Sequence, residues 1–253
     1  MCWIGLKTLI LRECGVIVRF WSVTLAPPAI TTVLYFTIFG EIIGRRVGSV
    51  DGFDYIQYMA PGLVVLWVIP FSYGHTAAAF LGARFFKFIE EVLVSPLPDW
   101  VVMTGYVIGG MIRGCLVGIA AVATTLLFTR LHVHSVFSSV AALLLAALVS
   151  ALGGFITAMF AKSFDQVATI QTLILTPLMY IGGVFNSVST LPNWAQNLSL
   201  ANPMFHIVNA FRYGVLGVSD VPIGMALSII GAFGFVLFLT AMKLMALGSG
   251  IRD

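Results

Sequence analysis

Long apolar segments constrain this chain more than any other feature of its sequence. An α-helix needs about 20 apolar residues to cross the roughly 30 Å of hydrocarbon in a bilayer. Six segments of about this length follow one another, at Val23–Ile43, Met59–Gly82, Val101–Phe128, Val136–Ala161, Val167–Phe185 and Ile223–Met242. We therefore predict an all-α integral membrane protein in which six transmembrane helices form a single domain over residues 1–253.

The composition agrees with a membrane protein. Hydrophobic residues make up 60% of the chain and charged residues only 9%, whereas a soluble domain carries about 25% charged residues. The few basic residues are spread along the chain, which argues against a nucleic-acid partner and leaves membrane lipid as the expected surrounding. The three cysteines are isolated, and no His/Cys pattern suggests a metal site or a disulfide framework.

Lysine and arginine in the connections predict the orientation, because these residues collect on the cytoplasmic side of a membrane. With the N-terminus inside, the inner side holds Lys7, Arg12, Arg19, Arg84, Lys87, Lys162, Lys243 and Arg252. The outer side then holds only Arg45, Arg46, Arg130 and Arg212. This excess favours a multi-pass protein with both termini in the cytoplasm.

Two segments outside the spans carry helical patterns of their own. Residues 1–22 place Arg12 and Arg19 close together on a helical wheel among apolar residues, which predicts an interfacial helix in the headgroup plane. Residues 186–222 are too polar to cross a membrane and too apolar for a solvated loop. Because Pro192 and Pro203 each stand where a short helix can begin, we predict an outer re-entrant helical hairpin there.

Charges gather in residues 84–94, between the second and third spans. On a helical wheel Phe85, Phe88 and Ile89 share one face, and the charged residues share the other. The prolines that follow end the helix, since proline lacks a backbone N–H and its ring blocks the preceding turn. A short amphipathic helix of this kind either lies passively on the membrane surface or provides a binding surface for a soluble partner.

The motifs of common enzyme classes are missing from the sequence. None of the four lysines completes a GxxxxGK[ST] phosphate loop, since they follow Leu, Phe, Ala and Met. HExxH, GxSxG and a well-spaced Ser/His/Asp set are also missing. We therefore predict that the chain is not an enzyme and holds no cofactor or metal of its own.

Arg113 is the costliest residue of the spans, because a charge near the middle of a membrane helix costs about 2.5–3.5 kcal/mol on insertion scales. It should face the bundle interior, a partner subunit or water, and Glu41 is a possible counter-ion. An ion pair that only fixes helix packing and a role in a substrate path both stay open. His75 in the second span allows the same two interpretations.

Aromatic and small residues indicate how the spans pack. Tyr35 and Phe39 in the first span, with Tyr180 and Phe185 in the fifth, are candidates to line an amphipathic path, although such aromatics more often face lipid or the core. The Thr176-Pro177 and Gly182-Gly183 pairs should weaken the fifth span and make it a candidate for movement. In the third span, glycines spaced four apart predict close helix contacts at Gly105, Gly109, Gly110, Gly114 and Gly118.

Several motifs, in this order and spacing, resemble the ABC-2 type permeases over nearly the whole chain. The resemblance is to the bacterial inner-membrane permeases related to nodulation-factor, polysaccharide and drug exporters. The matching stretches are Tyr35–Gly40, Tyr58–Gly62, Phe88–Pro98, Gly105–Val107, Ile112–Gly114, Gly183–Trp194, Asn202–Met204 and Asn209–Arg212.

The resemblance implies a half-transporter that works as a homodimer. A separate ATP-binding subunit would bind each copy and carry the ATP and Mg. Residues 84–94 would be the coupling helix that docks on this subunit, with Glu90 and Glu91 meeting a basic rim and Phe86 or Ile89 giving apolar anchorage. The set of predicted coupling residues is Arg84, Phe86, Lys87, Ile89, Glu90 and Glu91.

The same resemblance implies export by alternating access, in which spans one and five reshape a path between the two copies. The predicted path residues are Tyr35, Phe39, Arg113, Tyr180 and Phe185, and the apolar spans favour an amphipathic substrate such as a lipid, a lipid-linked glycan or a drug. Two other functions stay open. One is an ion-coupled secondary transporter, although its intramembrane acids are nearly absent. The other is a membrane anchor for a soluble ATPase that moves nothing.

Overall fold

The computed structural model describes residues 2–44, 46, 48–50, 52–89, 97–131, 133–185, 187–188 and 191–248. Within these ranges the chain is helical almost throughout. Its long helices are α1 (Cys2–Arg19), α2 (Trp21–Tyr35), α3 (Tyr55–Phe85), α4 (Asp99–Thr125), α5 (Val136–Phe160) and α10 (Ile223–Ala246). Its short helices are α6 (Phe164–Ile170), α7 (Thr176–Ile181), α8 (Asn193–Ala201) and α9 (Pro203–Leu216).

Two wider helical segments and one small hairpin complete the described fold. α2 continues as a π-helix over Phe36–Gly44, and a second π-helix over Gln171–Leu175 joins α6 to α7. A two-stranded antiparallel hairpin, β1 (Ser49–Val50) and β2 (Phe53–Asp54), precedes α3. The predicted all-α membrane class is therefore confirmed in its main feature.

Five helical stretches in the described ranges are long and apolar enough to span a membrane: Trp21–Gly40, Tyr55–Phe85, Asp99–Thr125, Val136–Phe160 and Ile223–Ala246. Their positions agree with five of the six predicted segments. The remaining one, the fifth segment Val167–Phe185, forms the shorter α6–π–α7 unit instead. The count of six spans stays a prediction.

Local chemistry explains why this unit is irregular. Pro177 stands in the first turn of α7 and cannot donate the backbone hydrogen bond that a regular α-helix needs. The π-helical turn immediately before it widens the backbone at the point where the proline ring would clash. The helix then ends at Gly182, and Gly183 follows with a φ of 75°, a conformation that favours glycine.

α3 forms the centre of the bundle, and its surface is mostly buried. It packs most extensively against α5 and α4, and α9 also contacts it. Most of the surface of α2 and α10 is exposed in the single chain. These two helices therefore offer their apolar faces to lipid or to another chain.

Glycines of α4 allow two neighbouring helices to approach closely. A Cβ atom on Gly105 would lie 2.9 Å from Leu9 Cβ of α1, and one on Gly109 would lie 2.8 Å from Glu13 Cβ. Gly110 and Gly114 similarly lie against Ser72 and Thr76 of α3. The predicted close contacts are thus confirmed, with one pair of glycines facing each neighbouring helix.

Candidate functional site

Arg84 joins the ends of two central helices. It lies in the last turn of α3, where its Nη1 atom donates hydrogen bonds to the carbonyls of Ala158, Met159 (3.0 Å) and Ala161 (3.3 Å). These carbonyls belong to the C-terminal end of α5, where a positive charge is favourable and where the helix itself leaves carbonyls unpaired. The predicted start of a separate coupling helix at Arg84 therefore differs from the structure, because α3 continues through this residue.

The chain turns sharply directly after α3. Lys87 has a φ of 61°, a left-handed conformation that is uncommon for a residue other than glycine and that interrupts the helical periodicity. Phe85, Phe86 and Phe88 are consequently exposed, whereas Ile89 is only 3% exposed and packs in the core of the same chain. Phe85, Phe88 and Ile89 were predicted to share one apolar face of a continuous helix. This prediction is wrong, because the helix is interrupted at Lys87, between Phe85 and Phe88.

Phe86 and Ile89, the two predicted apolar anchors for a partner, therefore have different environments. Phe86 is 62% exposed and lies beside the exposed Lys87, so both are available to a partner. Ile89 is buried and stabilises this chain's own fold. Glu90 and Glu91 lie outside the described residues.

Four of the five predicted path residues form one aromatic cluster. Phe185 lies at its centre, with its ring centroid 5.2 Å from that of Phe39, 5.7 Å from that of Tyr180 and 5.9 Å from that of Tyr35. Tyr180 is exposed, and the other three rings are half-buried. The cluster therefore presents an aromatic wall with two hydroxyl groups at the surface of the chain.

Both π-helical segments are close in sequence to this cluster. Phe39 lies within the π-helix Phe36–Gly44, and Tyr180 lies in α7, which directly follows the π-helix Gln171–Leu175. π-Helical turns are rare and frequently occur at functional sites. The aromatic wall thus lies close to both π-helical segments that the structure describes.

Arg113 lies apart from the aromatic cluster, in a polar chain of contacts between α1, α3 and α4. Its Nη1 atom lies 3.1 Å from His75 Nδ1. Because arginine only donates, Nδ1 must accept, which leaves the imidazole proton on Nε2. His75 Nε2 in turn lies 3.1 Å from Oε2 of the buried Glu13, whose Oε1 accepts a 2.8 Å hydrogen bond from Arg12 Nη2.

This arrangement revises the expected surroundings of Arg113. The side chain of Glu41, its expected counter-ion, lies outside the described residues, and the neighbour in the structure is His75. Glu13 was missed by sequence reasoning, which assigned it no role. A signal was present: Leu9 and Glu13 have the same four-residue spacing as Gly105 and Gly109, against which they pack.

Glu13 is buried yet ionised. Burial alone would raise its pKa, but the contacts with His75 and Arg12 outweigh burial and lower the pKa below the ordinary value of 4.5. The contacts of the ionised Glu13 with Arg12 and His75 therefore stabilise the fold fully above the pKa of the unfolded chain. This contribution is lost as the pH falls through the lower pKa of the folded chain.

We expect the stability of the Glu13→Gln variant to fall less than that of the wild type as the pH is lowered. The melting temperature of the purified wild-type protein should fall between about pH 7 and about pH 3.5 partly because Glu13 takes up a proton. The variant has no carboxylate to titrate there, so its melting temperature should start lower and fall less over the same interval. Equal falls in the two proteins would contradict the assignment.

The predicted outer hairpin forms two short helices, α8 and α9, joined at Asn202. The Oδ1 atom of Asn202 accepts a 2.9 Å hydrogen bond from the Met204 backbone N–H at the start of α9, and its Nδ2 atom donates to Leu178 in α7. Ser199 of α8 donates to the Ile181 carbonyl. The hairpin is therefore attached to the end of the irregular fifth segment. Asn186, Ser189 and Thr190 of this region lie outside the described residues.

Arg212 fixes the other side of this hairpin. It was expected in an outer connection, but it is 1% exposed on α9. Its Nη2 atom donates a 2.6 Å hydrogen bond to the Gly183 carbonyl, and its guanidinium lies 4.1 Å from the centroid of the Tyr58 ring. Asp220 accompanies it, with Oδ2 3.8 Å from Arg212 Nη1 and Oδ1 accepting a 2.6 Å hydrogen bond from Ser187. Arg212 is thus a buried structural residue, and its predicted place on the outer side of the membrane stays a prediction.

These features define a class of protein: a multi-pass helical membrane protein with an irregular spanning segment, an aromatic wall beside it and an exposed turn at the end of its central helix. The chain matches the family model of the ABC-2 type transporters over residues 5–216, and it belongs to that family. It is 42% identical over 251 residues to the Inner membrane transport permease YadH of Escherichia coli K12, covering 99% of this chain and 98% of that protein.

More distant relatives share most of the chain. Nodulation protein J of Rhizobium meliloti strain 1021 is 26% identical over 216 residues, which cover 84% of this chain and 82% of that protein. Nodulation protein J of Sinorhizobium fredii is 28% identical over 213 residues. The resemblance to ABC-2 type permeases that the sequence motifs suggested is therefore confirmed.

Proposed function

We propose that this chain is the membrane-spanning subunit of an ATP-driven exporter in a bacterial inner membrane. Two copies form the path as a homodimer, each with six spans and both termini in the cytoplasm. Each copy binds one ATP-binding subunit, which holds the ATP and Mg. Membership of the ABC-2 type family and near-full-length similarity to a protein called an inner membrane transport permease support this proposal.

The exposed turn after α3 carries the proposal that a partner subunit docks here. Phe86 and Lys87 are exposed at the end of the most buried of the five candidate spans, and large exposed apolar side chains at such a place are typical of a protein interface. Arg84, one turn earlier, ties the end of α3 to the end of α5. A movement of the docked subunit would therefore be transmitted to both α3 and α5.

The aromatic wall supports an amphipathic substrate path. Tyr35 and Phe39 belong to the first spanning helix, and Tyr180 and Phe185 to the fifth segment, so movement of either one changes the wall. Aromatic rings with hydroxyl groups suit a molecule that has an apolar body and a polar end. In the alternating-access mechanism that we propose, ATP closes the partner subunits, and the two irregular segments then reshape this wall.

Reversing the charges of Glu90 and Glu91 to Arg tests the docking. We expect the double variant to enter the membrane normally but to lose transport, because like charges brought together at the basic rim cost about 2 kcal/mol or more, roughly thirtyfold in affinity. Phe86→Asp should act in the same direction. The measurement is substrate-stimulated ATP hydrolysis and substrate uptake in liposomes that contain the permease with its co-purified ATP-binding subunit.

Asp54→Arg is the matched control, since Asp54 is exposed in the hairpin at the opposite end of α3. Full transport by the Glu90/Glu91 double variant would refute the coupling assignment. Transport that needs no ATP would favour an ion-coupled transporter. ATP hydrolysis that no amphipathic substrate stimulates would favour the membrane anchor.

A further inference from the structure

A groove of about 420 Å³ lies between α1, α3 and α4 and combines charged and aromatic walls. Arg12, His75 and Arg113 line one part of it, and Phe86 and Phe88 line another. His75 and Phe86 are eleven residues apart along the chain, which corresponds to roughly 16 Å along a helix. Small residues of α3, such as Ala79, form the surface between these two parts. The groove is therefore amphipathic along its length, and it shares no residue with the aromatic wall.

The charged part of the groove favours an anion. Glu13 is already engaged by Arg12 and by His75, so its negative charge is compensated. With His75 neutral, two arginines and one glutamate leave one net positive charge. Arg113 Nη1 is directed to His75, whereas Nε is shielded from water and has no hydrogen-bond partner among the residues that the structure describes. Arg12 is 43% exposed at the rim, and the guanidinium N–H groups that Glu13 does not occupy can donate to a ligand.

We propose that this groove binds a lipid whose headgroup carries a phosphate. The phosphate lies between Arg12 and Arg113, because its several acceptor oxygens can use two separate guanidinium groups at once. The lipid's hydrocarbon runs over the small residues of α3 towards Phe86 and Phe88. The length of the groove and its change from charged to aromatic walls match such a molecule, whereas a free phosphate would use only the charged part.

Bound lipid at this site would connect α1 with the turn that follows α3. Arg12 belongs to the N-terminal helix, Arg113 to α4, and Phe86 to the exposed turn. The site concerns binding rather than transport. It can therefore be tested without a substrate or an ATP-binding subunit, and its failure would leave the exporter proposal unaffected.

The test is native mass spectrometry of the purified full-length protein titrated with three probes. These are phosphatidic acid, diacylglycerol with the same acyl chains, and glycerol 3-phosphate. We expect phosphatidic acid to bind roughly tenfold more tightly than either of the others, because only it has both the phosphate and the chains. Arg113→Gln and Arg12→Gln should each weaken the binding of phosphatidic acid roughly tenfold and leave the binding of diacylglycerol unchanged.

Arg19→Gln is the matched control, because Arg19 is an exposed arginine on the same helix outside the groove. It should bind phosphatidic acid as the wild type does. If Arg113→Gln does not fold, Arg12→Gln at the rim still decides the question. Equal binding of phosphatidic acid and diacylglycerol, or wild-type binding by Arg12→Gln, overturns the proposal. Binding of glycerol 3-phosphate as tight as that of phosphatidic acid overturns the choice of a lipid.

Discussion

Gly154→Ala is expected to lower the stability of the bundle severely. Gly154 of α5 lies directly against the backbone of Tyr73 in α3, and an added Cβ atom would overlap the Tyr73 carbonyl oxygen and lie 3.0 Å from its carbonyl carbon. A backbone inside a helix cannot step aside as a flexible side chain does. The two central helices would have to separate, at a cost of about 3 kcal/mol, the upper part of the range for overpacking. The measurement is the melting temperature in detergent.

The adjacent Gly153 provides a matched control. A Cβ atom on Gly153 would approach Tyr73 Cδ2 at 3.9 Å, an ordinary van der Waals contact. Gly153→Ala should therefore be neutral or stabilise the protein by about 0.5–1 kcal/mol, since alanine lowers the conformational freedom of the unfolded chain. Equal melting temperatures for the two variants would mean that α3 and α5 do not pack at Gly154 as the structure has them.

Arg212→Leu should have the second large effect. The leucine cannot donate to the Gly183 carbonyl or lie over the Tyr58 ring as the guanidinium does, and it leaves Asp220 without the nearby positive charge. Removing one partner from such a buried arrangement costs about 3–5 kcal/mol. We expect little folded protein after extraction, or a melting temperature many degrees lower. Size-exclusion chromatography and thermal denaturation measure the two outcomes.

Two further variants separate geometry from charge at this position. Arg212→Lys keeps the positive charge but loses the planar group that lies over Tyr58, so its stability should fall between those of the wild type and Arg212→Leu. Arg130→Leu removes an exposed arginine, and we expect a change of at most about 0.5 kcal/mol. A stable Arg212→Leu protein would show that the hairpin does not depend on this residue.

Hydropathy and glycine spacing predicted much of the bundle because both are local properties of the chain. Five spans lie within a few residues of their predicted positions, and the predicted approach at Gly105 and Gly110 occurs. The fifth segment was predicted as weak, and the reason given, Pro177 with the following glycines, agrees with its π-helix and early end. The four aromatic residues predicted to line a path also lie together, whereas Arg113, the fifth predicted path residue, lies elsewhere.

Contacts between distant parts of the chain could not be predicted in the same way. The pairing of Glu13 with His75 depends on how α1 lies across α3 and α4, which no single helical pattern specifies. Arg212 was assigned to an outer connection only from the order of the spans, which could not show that its partners come from three separate segments. The turn at Lys87 was also missed, because a wheel assumes a continuous helix and a positive φ breaks it.

The π-helix at Phe36–Gly44 has a mechanical consequence for the segment that contains it. A wide turn holds more residues than an α-helical turn of the same height, so a residue can enter or leave it while the helix stays continuous. Each such exchange rotates the remaining helix by about 100°, the angle between successive residues of an α-helix. The first spanning helix can therefore change the rotation of one part relative to the other without breaking. The exchange of one residue would turn the ring of Phe39 away from Phe185 and bring another side chain into its place.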